Sequence, residues 1–194
     1  MNSTATDQAA AVQIQRYDAG SVHTVLADVA RLYEVVYAEP PYCEGPDDVE
    51  GFVNGIPRRT ASPAFRLTLA TVRGTPVGFA FGHQLAPDTK WWQGATTPLP
   101  DEVTREYPGR TFAIIELAVD CRYRRRGIAK VLHDALIEGA AEERATLLVR
   151  PEAEPAQTAY EHWGYTRVGG IRPWPDAPLY DAMVRDLKFP SNQR

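Results

Sequence analysis

Sulfur is scarce in this 194-residue chain. Its two cysteines, Cys43 and Cys121, are far apart and fall into no metal-ligand spacing, which points to a cytoplasmic protein with reduced thiols. The four histidines, His23, His83, His133 and His162, show no ligand spacing either, so no metal is expected. Basic charge is not in excess: 21 Lys and Arg stand against 25 Asp and Glu, a net charge of −4. That balance argues against nucleic acid as a partner, which needs a basic face. No apolar run approaches the roughly 18 residues of a membrane span, so no membrane partner is expected. The opening "MNSTATDQAA" lacks a basic start and an apolar stretch. It reads as a disordered lead over residues 1–11 rather than a secretory signal. There is no G-x-x-x-x-G-K-[ST], no G-x-G-x-x-G and no G-x-S-x-G, so the familiar nucleotide loops and the serine nucleophile elbow are excluded.

What is present suits one α/β domain over residues 12–194, with 44% hydrophobic and 24% charged residues. "VQIQRY" alternates like a short strand. Val25, Leu26, Val29, Leu32, Tyr33 and Val36 follow helical spacing, and "DVEGFVNGI" suggests a short second helix after the turn-rich "EPPYCEGPDD". "FRLTLATV" and "PVGFAFGH" flank "RGT" as a hairpin. Residues 84–110, rich in Pro, Gly, Thr and Trp, are assigned no regular structure. "TFAIIELAV" and "ATLLV" read as buried strands. Between them Ile128, Val131, Leu132, Ala135 and Leu136 form one helical stripe. In "PAQTAYEHWGY", Ala156, Ala159, Tyr160 and Trp163 share a face. Strands near Tyr165–Val168 and Leu179–Leu187 complete a mixed sheet.

The densest positive charge, "YRRRGIAKVL", lies between a buried strand and an amphipathic helix. A loop there aims backbone N–H groups outward at the positive end of the helix dipole. Gly127 and Ala129 let an anion approach the backbone, which suits a phosphate or pyrophosphate. From local sequence alone, a tight turn with solvated arginines is an equal reading. "ELAVDCRYRRRGIAKVL" resembles the acetyl-CoA-binding motif of the GNAT superfamily of N-acetyltransferases, whose [QR]-x-x-G-x-[GA] pattern is met by Arg124, Gly127 and Ala129. "AYEHWGY" looks like the family's Y-x-x-x-G-[FY] segment, met by Tyr160, Gly164 and Tyr165. Ala153 stands where the family often has asparagine.

The resemblance implies a mostly antiparallel mixed sheet flanked by helices, with the two central strands splayed at the cofactor site. It implies acetyl-CoA as co-substrate, with pantetheine along Leu117, Ala118 and Val119 and pyrophosphate on Arg124, Arg125, Arg126, Gly127, Ile128, Ala129 and Lys130. It also implies direct attack of an amine on the thioester, with Tyr160 as general acid; read from its position alone, Tyr160 is equally an aromatic on the buried helix face with its hydroxyl bonded elsewhere. Glu116 is the only charge inside a nine-residue apolar run, so it needs a partner or a cleft. Base, substrate anchor and structural ion pair all remain open for it. Between Arg31 and Arg58 every charge is acidic, including Glu44, Asp47 and Asp48. This region either steers a cationic small-molecule amine or is an ordinary solvated loop. Trp91 and Trp92 offer an aromatic wall for the acceptor, or the 84–110 segment is a homodimer contact. Acetylation of protein N-termini or lysines and a noncatalytic acyl-CoA-binding module are the alternatives.

Overall fold

The computed structural model describes residues 11–187. Apart from Ala11, the lead expected over residues 1–11 lies outside them. Seven strands form one sheet: β1 (Val12–Tyr17), β2 (Arg66–Val72), β3 (Thr75–Gln84), β4 (Thr111–Val119), β5 (Arg144–Val149), β6 (Thr166–Ile171) and β7 (Tyr180–Asp186). Their order is β1-β2-β3-β4-β5-β7-β6, and among the described residues only β4 and β5 pair in parallel. The helices are α1 (Leu26–Tyr37), α2 (Pro46–Thr60), α3 (Asp101–Thr104), α4 (Ile128–Ile137) and α5 (Glu154–His162).

Strand alternation sorts the core into two layers. Leu67, Leu69, Phe79 and Phe81 face α1 and α2, where they meet Val29, Leu32, Phe52 and Ile56. Ala70, Val77, Ala80 and Phe112 face the other way, toward Ile128, Leu132 and Leu136 of α4 and Tyr160 of α5. Both layers are mainly apolar, so the central strands are covered on both faces along most of their length. That explains why "TFAIIELAV" reads as a continuous run rather than an alternating one.

Three expectations change. The second helix runs the full Pro46–Thr60, with Asp48 accepting from the Gly45 N–H at 2.9 Å to fix its start. Val131 is not in the buried stripe but 48% exposed. His133 is buried instead, bonded through Nε2 to the Tyr165 hydroxyl at 2.9 Å. The helix is rotated so that its stripe is centred on Leu132, and this partner lets a polar ring enter the core.

The 84–110 segment carries regular structure after all: the single turn α3 and a bridge from Ala95 to Ile171 on edge strand β6. Trp92 anchors it. The Trp92 indole donates to Glu106 at 2.9 Å, and Arg144 and Thr111 close the same buried carboxylate network. The segment is thus fastened to the sheet edge and to the start of β4.

Candidate active site

β4 and β5 pair only from Thr111↔Arg144 to Ile114↔Leu147, although both strands continue. The strands splay from there. At the same place the β3–β4 register slips: Gly82 faces Ile114 and Phe81 faces Glu116, which leaves Ile115 as an extra residue. Beyond this bulge the Asp120 N–H bonds to Val77 on β3. Alternation then turns the backbone groups of Leu117 and Val119 away from β3 and into the gap.

A cleft of about 720 Å³ opens at the gap. Its lining includes Leu117, Ala118 and Val119 of β4, Arg124, Arg125, Gly127, Ile128, Ala129 and Lys130 of the loop and α4, and Ala153, Ala156, Ala159 and Tyr160. Arg125 (φ 63°) and Gly127 (φ 77°) are both left-handed, which turns successive amides to one side. Among the described residues, no protein acceptor meets the backbone N–H groups from Arg125 to Lys130. A Cβ on Gly127 would meet nothing within 4 Å. The cleft at the start of α4 is therefore an open cradle with unclaimed backbone donors around it, which fits a pyrophosphate.

The arginines divide their work. Arg124 donates through Nε to the Val119 carbonyl at 2.9 Å and pairs with Glu39 at 2.8 Å, so it braces the loop. Arg126 lies outside the cleft lining, with its guanidinium on the Arg122 carbonyl and over the Tyr123 ring. Arg125 lines the cleft.

A second cavity, of about 570 Å³, adjoins the first at the splayed central strands. Tyr37, Tyr42, Leu117 and Tyr160 line both and mark where the two meet. Glu116 lines the second cavity and accepts from the Tyr37 hydroxyl at 2.5 Å. Burial raises its pKa to about 7, against the lowering effects of Tyr37 and Arg59. Tyr160 is buried among Trp163 and Tyr165. Among the described residues its hydroxyl has no hydrogen-bond partner. Burial, then Tyr42 and Glu116, hold the hydroxyl protonated far above neutral pH.

The structure also redistributes the residues expected on the acceptor side. Glu44 lines the cavity and accepts from Tyr33 at 2.5 Å, and Trp91 lines it too. Asp47 and Asp48 do not; they are exposed in the first turn of α2, where their charge suits the helix dipole. Trp92 is withdrawn onto Glu106 and lies outside the wall. The acidity of residues 32–57 therefore does not make an acidic cavity. Its lining instead holds Arg58, Arg59, Lys90 and Arg150 against Glu44 and Glu116. Sequence reasoning missed these cations, and it missed Tyr37. The i,i+4 pair Tyr33 and Tyr37 on a buried stripe carried a signal, since buried tyrosines need hydroxyl partners and Glu116 needed one as well.

The model of the acetyltransferase (GNAT) family matches residues 29–165, and the chain belongs to that family. It is an acetyl-CoA-dependent acyltransferase. Solved structures of the same fold include Ard1 from Thermoplasma volcanium, 18% identical with a TM-score of 0.60 over 92% of this chain and 99% of that one. The ribosomal-protein-S18-alanine N-acetyltransferase from Escherichia coli is 16% identical, with a TM-score of 0.62 over 95% and 99%. The PaiA N-acetyltransferase from Thermoplasma acidophilum, in complex with coenzyme A, is 12% identical, with a TM-score of 0.56 over 91% and 99%. No curated protein matches the chain. Among the described residues no helix is long and apolar enough to cross a membrane.

Proposed function

We propose that the protein transfers an acetyl group from acetyl-CoA directly to a primary amine of a small molecule. The observation that carries this reading is the border between the two cavities, where the unpartnered Tyr160 hydroxyl faces both and Glu116 stands just past the β4 bulge. Acetyl-CoA supplies the activated acetyl as a thioester. Arg125, the amides from Arg125 to Lys130, and the gap-facing backbone of Leu117 and Val119 would hold it.

An alkylammonium has a pKa near roughly 10.4, so the acceptor must lose a proton before it attacks. Glu116, with its pKa raised to about 7, is a base matched to neutral pH. As the C–N bond forms and the C–S bond breaks, the gap-facing Leu117 N–H would donate to the oxyanion. Tyr160 gives its proton to the departing thiolate and regains one from the nitrogen, which sheds its second proton as the amide forms. A bounded cavity of about 570 Å³ favours a small acceptor, since such volumes suit single ligands. Release of free CoA over a panel of amines, amino acids, aminoglycosides and peptides tests the reading. Turnover of small amines supports it; turnover of peptides alone overturns the small-molecule acceptor, and turnover of none overturns amine transfer.

A further inference from the structure

From the lining of the second cavity we infer that the acceptor carries an anionic oxygen group, a carboxylate or phosphate ester, received by Arg59 and Arg58. The inference rests on the amine-transfer reading and adds the other end of the substrate. Tyr37, Tyr42, Leu117 and Tyr160 mark the cofactor end of the cavity, because they also line the first cleft. Arg58 and Arg59 line only the second.

Arginines in the last turn of α2 would suit the helix dipole anyway. Arg59 does something else. Its guanidinium lies 5.7 Å from the Phe52 ring centre and 5.6 Å from that of Phe81, and its Nη1 is buried with no hydrogen-bond partner. Neither Arg58 nor Arg59 has an ion pair among the described residues. A buried guanidinium nitrogen without an acceptor is costly, and a bound oxyanion would satisfy it with a charge-assisted bond.

Arg59 acts electrostatically on both Glu116 and His83, and Arg58 acts on His83. The pair therefore sits at hand to the base, on the side away from the cofactor. The other cations are placed differently. Arg150, whose Nε is also buried without a partner, donates through Nη1 to the Pro41 carbonyl at 2.6 Å and lies against Tyr42, at the end of the cavity that meets the cofactor cleft. Lys90 is exposed, where it would draw an anion toward the mouth. A molecule with an ammonium at Glu116 and an oxyanion at Arg59 matches both ends. A polyamine would place its second cation against Arg59.

The test compares kcat/KM for matched pairs: β-alanine and β-alaninamide, L-lysine and cadaverine, O-phosphoethanolamine and ethanolamine. The anionic member is expected to be favoured about 10- to 100-fold in at least one pair, the range of a charge-assisted hydrogen bond. Which pair responds separates carboxylate from phosphate. Arg59→Met keeps an unbranched apolar stem but removes the guanidinium that lies over Phe52 and Phe81, and it should bring that preference within about threefold. Arg58→Gln, at an exposed position, should reduce it in a protein of unchanged melting temperature.

Saturation-transfer NMR of the same pairs on the CoA-saturated protein reads binding without turnover. If no amine turns over, the transfer reading fails, and these spectra still decide the oxyanion site. Equal use and equal binding of both members, preference for the members that lack the anion, or a preference that survives both substitutions would overturn it.

Discussion

Burial lifts the Glu116 pKa from 4.5 to about 7, so between those values the folded protein keeps a proton that the unfolded chain has lost. The native state then binds more protons, and stability falls as pH rises through that window. The penalty is absent below 4.5 and complete above about 7. Glu116→Gln removes it. In paired denaturant melts the variant should gain on wild type, by on the order of 3 kcal/mol, between pH 4.5 and 8. A stability difference that does not change with pH would show that the carboxyl is not held protonated. The same substitution should slow acetyl transfer most at neutral pH and least near the amine's own pKa, where free amine needs no base.

Tyr160 allows a cleaner separation. Because its hydroxyl has no protein partner among the described residues, Tyr160→Phe should leave stability within about 0.5 kcal/mol of wild type. Its effect should fall on kcat, toward the lower end of the roughly 10²–10⁴-fold typical of general acid catalysis, since a thiolate is already a fair leaving group. Stopped-flow turnover and melting temperature on one preparation check both halves, and an undiminished kcat would remove the general-acid role.

Among the elements, the loop into α4 is the most exacting. Gly127 caps the helix at φ 77°, and its missing side chain leaves the cradle open. Gly127→Glu adds a strained side chain and a negative charge beside the unclaimed amides. Calorimetry should find no measurable CoA binding to this variant while circular dichroism remains native. Near wild-type affinity would move the pyrophosphate elsewhere.

This loop, the central strands and the α5 motif were legible in sequence because spacing and residue type suffice for them. The splay and the bulge were not readable from the strand itself: "TFAIIELAV" is apolar on both faces, so alternation cannot locate Ile115 as the extra residue. The acceptor side was harder still. Glu44 is four residues from Asp48, yet one carboxylate enters the cavity and the other caps a helix, because a chain reversal into α2 separates them. Trp91 and Trp92 likewise part company at one turn, one toward the cavity and one onto Glu106. Arg59 gave no signal in sequence, since an arginine near a helix C-terminus is ordinary.

At the scale of the whole molecule, a ligand that binds only the folded state stabilises it by mass action. At a concentration of about 100 times Kd, CoA should contribute roughly 2.7 kcal/mol and raise the melting temperature of a chain this size by about 5–10 °C. Gly127→Glu should melt at the same temperature with or without CoA. Thermal-shift measurements on the two proteins make the comparison, and a shift retained in the variant would place CoA binding outside the cradle.

Among the described residues, the four register pairs that join β4 to β5 are also all that joins β1–β4 to the remaining strands within the sheet. Past Ile114 the protein has a seam, with ladder groups of one strand facing no ladder of the other. A pantetheine arm lying there would serve as the rung the backbone omits, so the donor would mend the sheet that holds it. Hydrogen exchange should report this directly. In the free protein the amides of Leu117 and Val119 should exchange quickly beside well-protected neighbours on the β3 side. With CoA bound they should slow, and the protection should spread across the seam into β5. Each catalytic cycle would then open and close a zipper in the middle of the molecule, timed by arrival and departure of the donor.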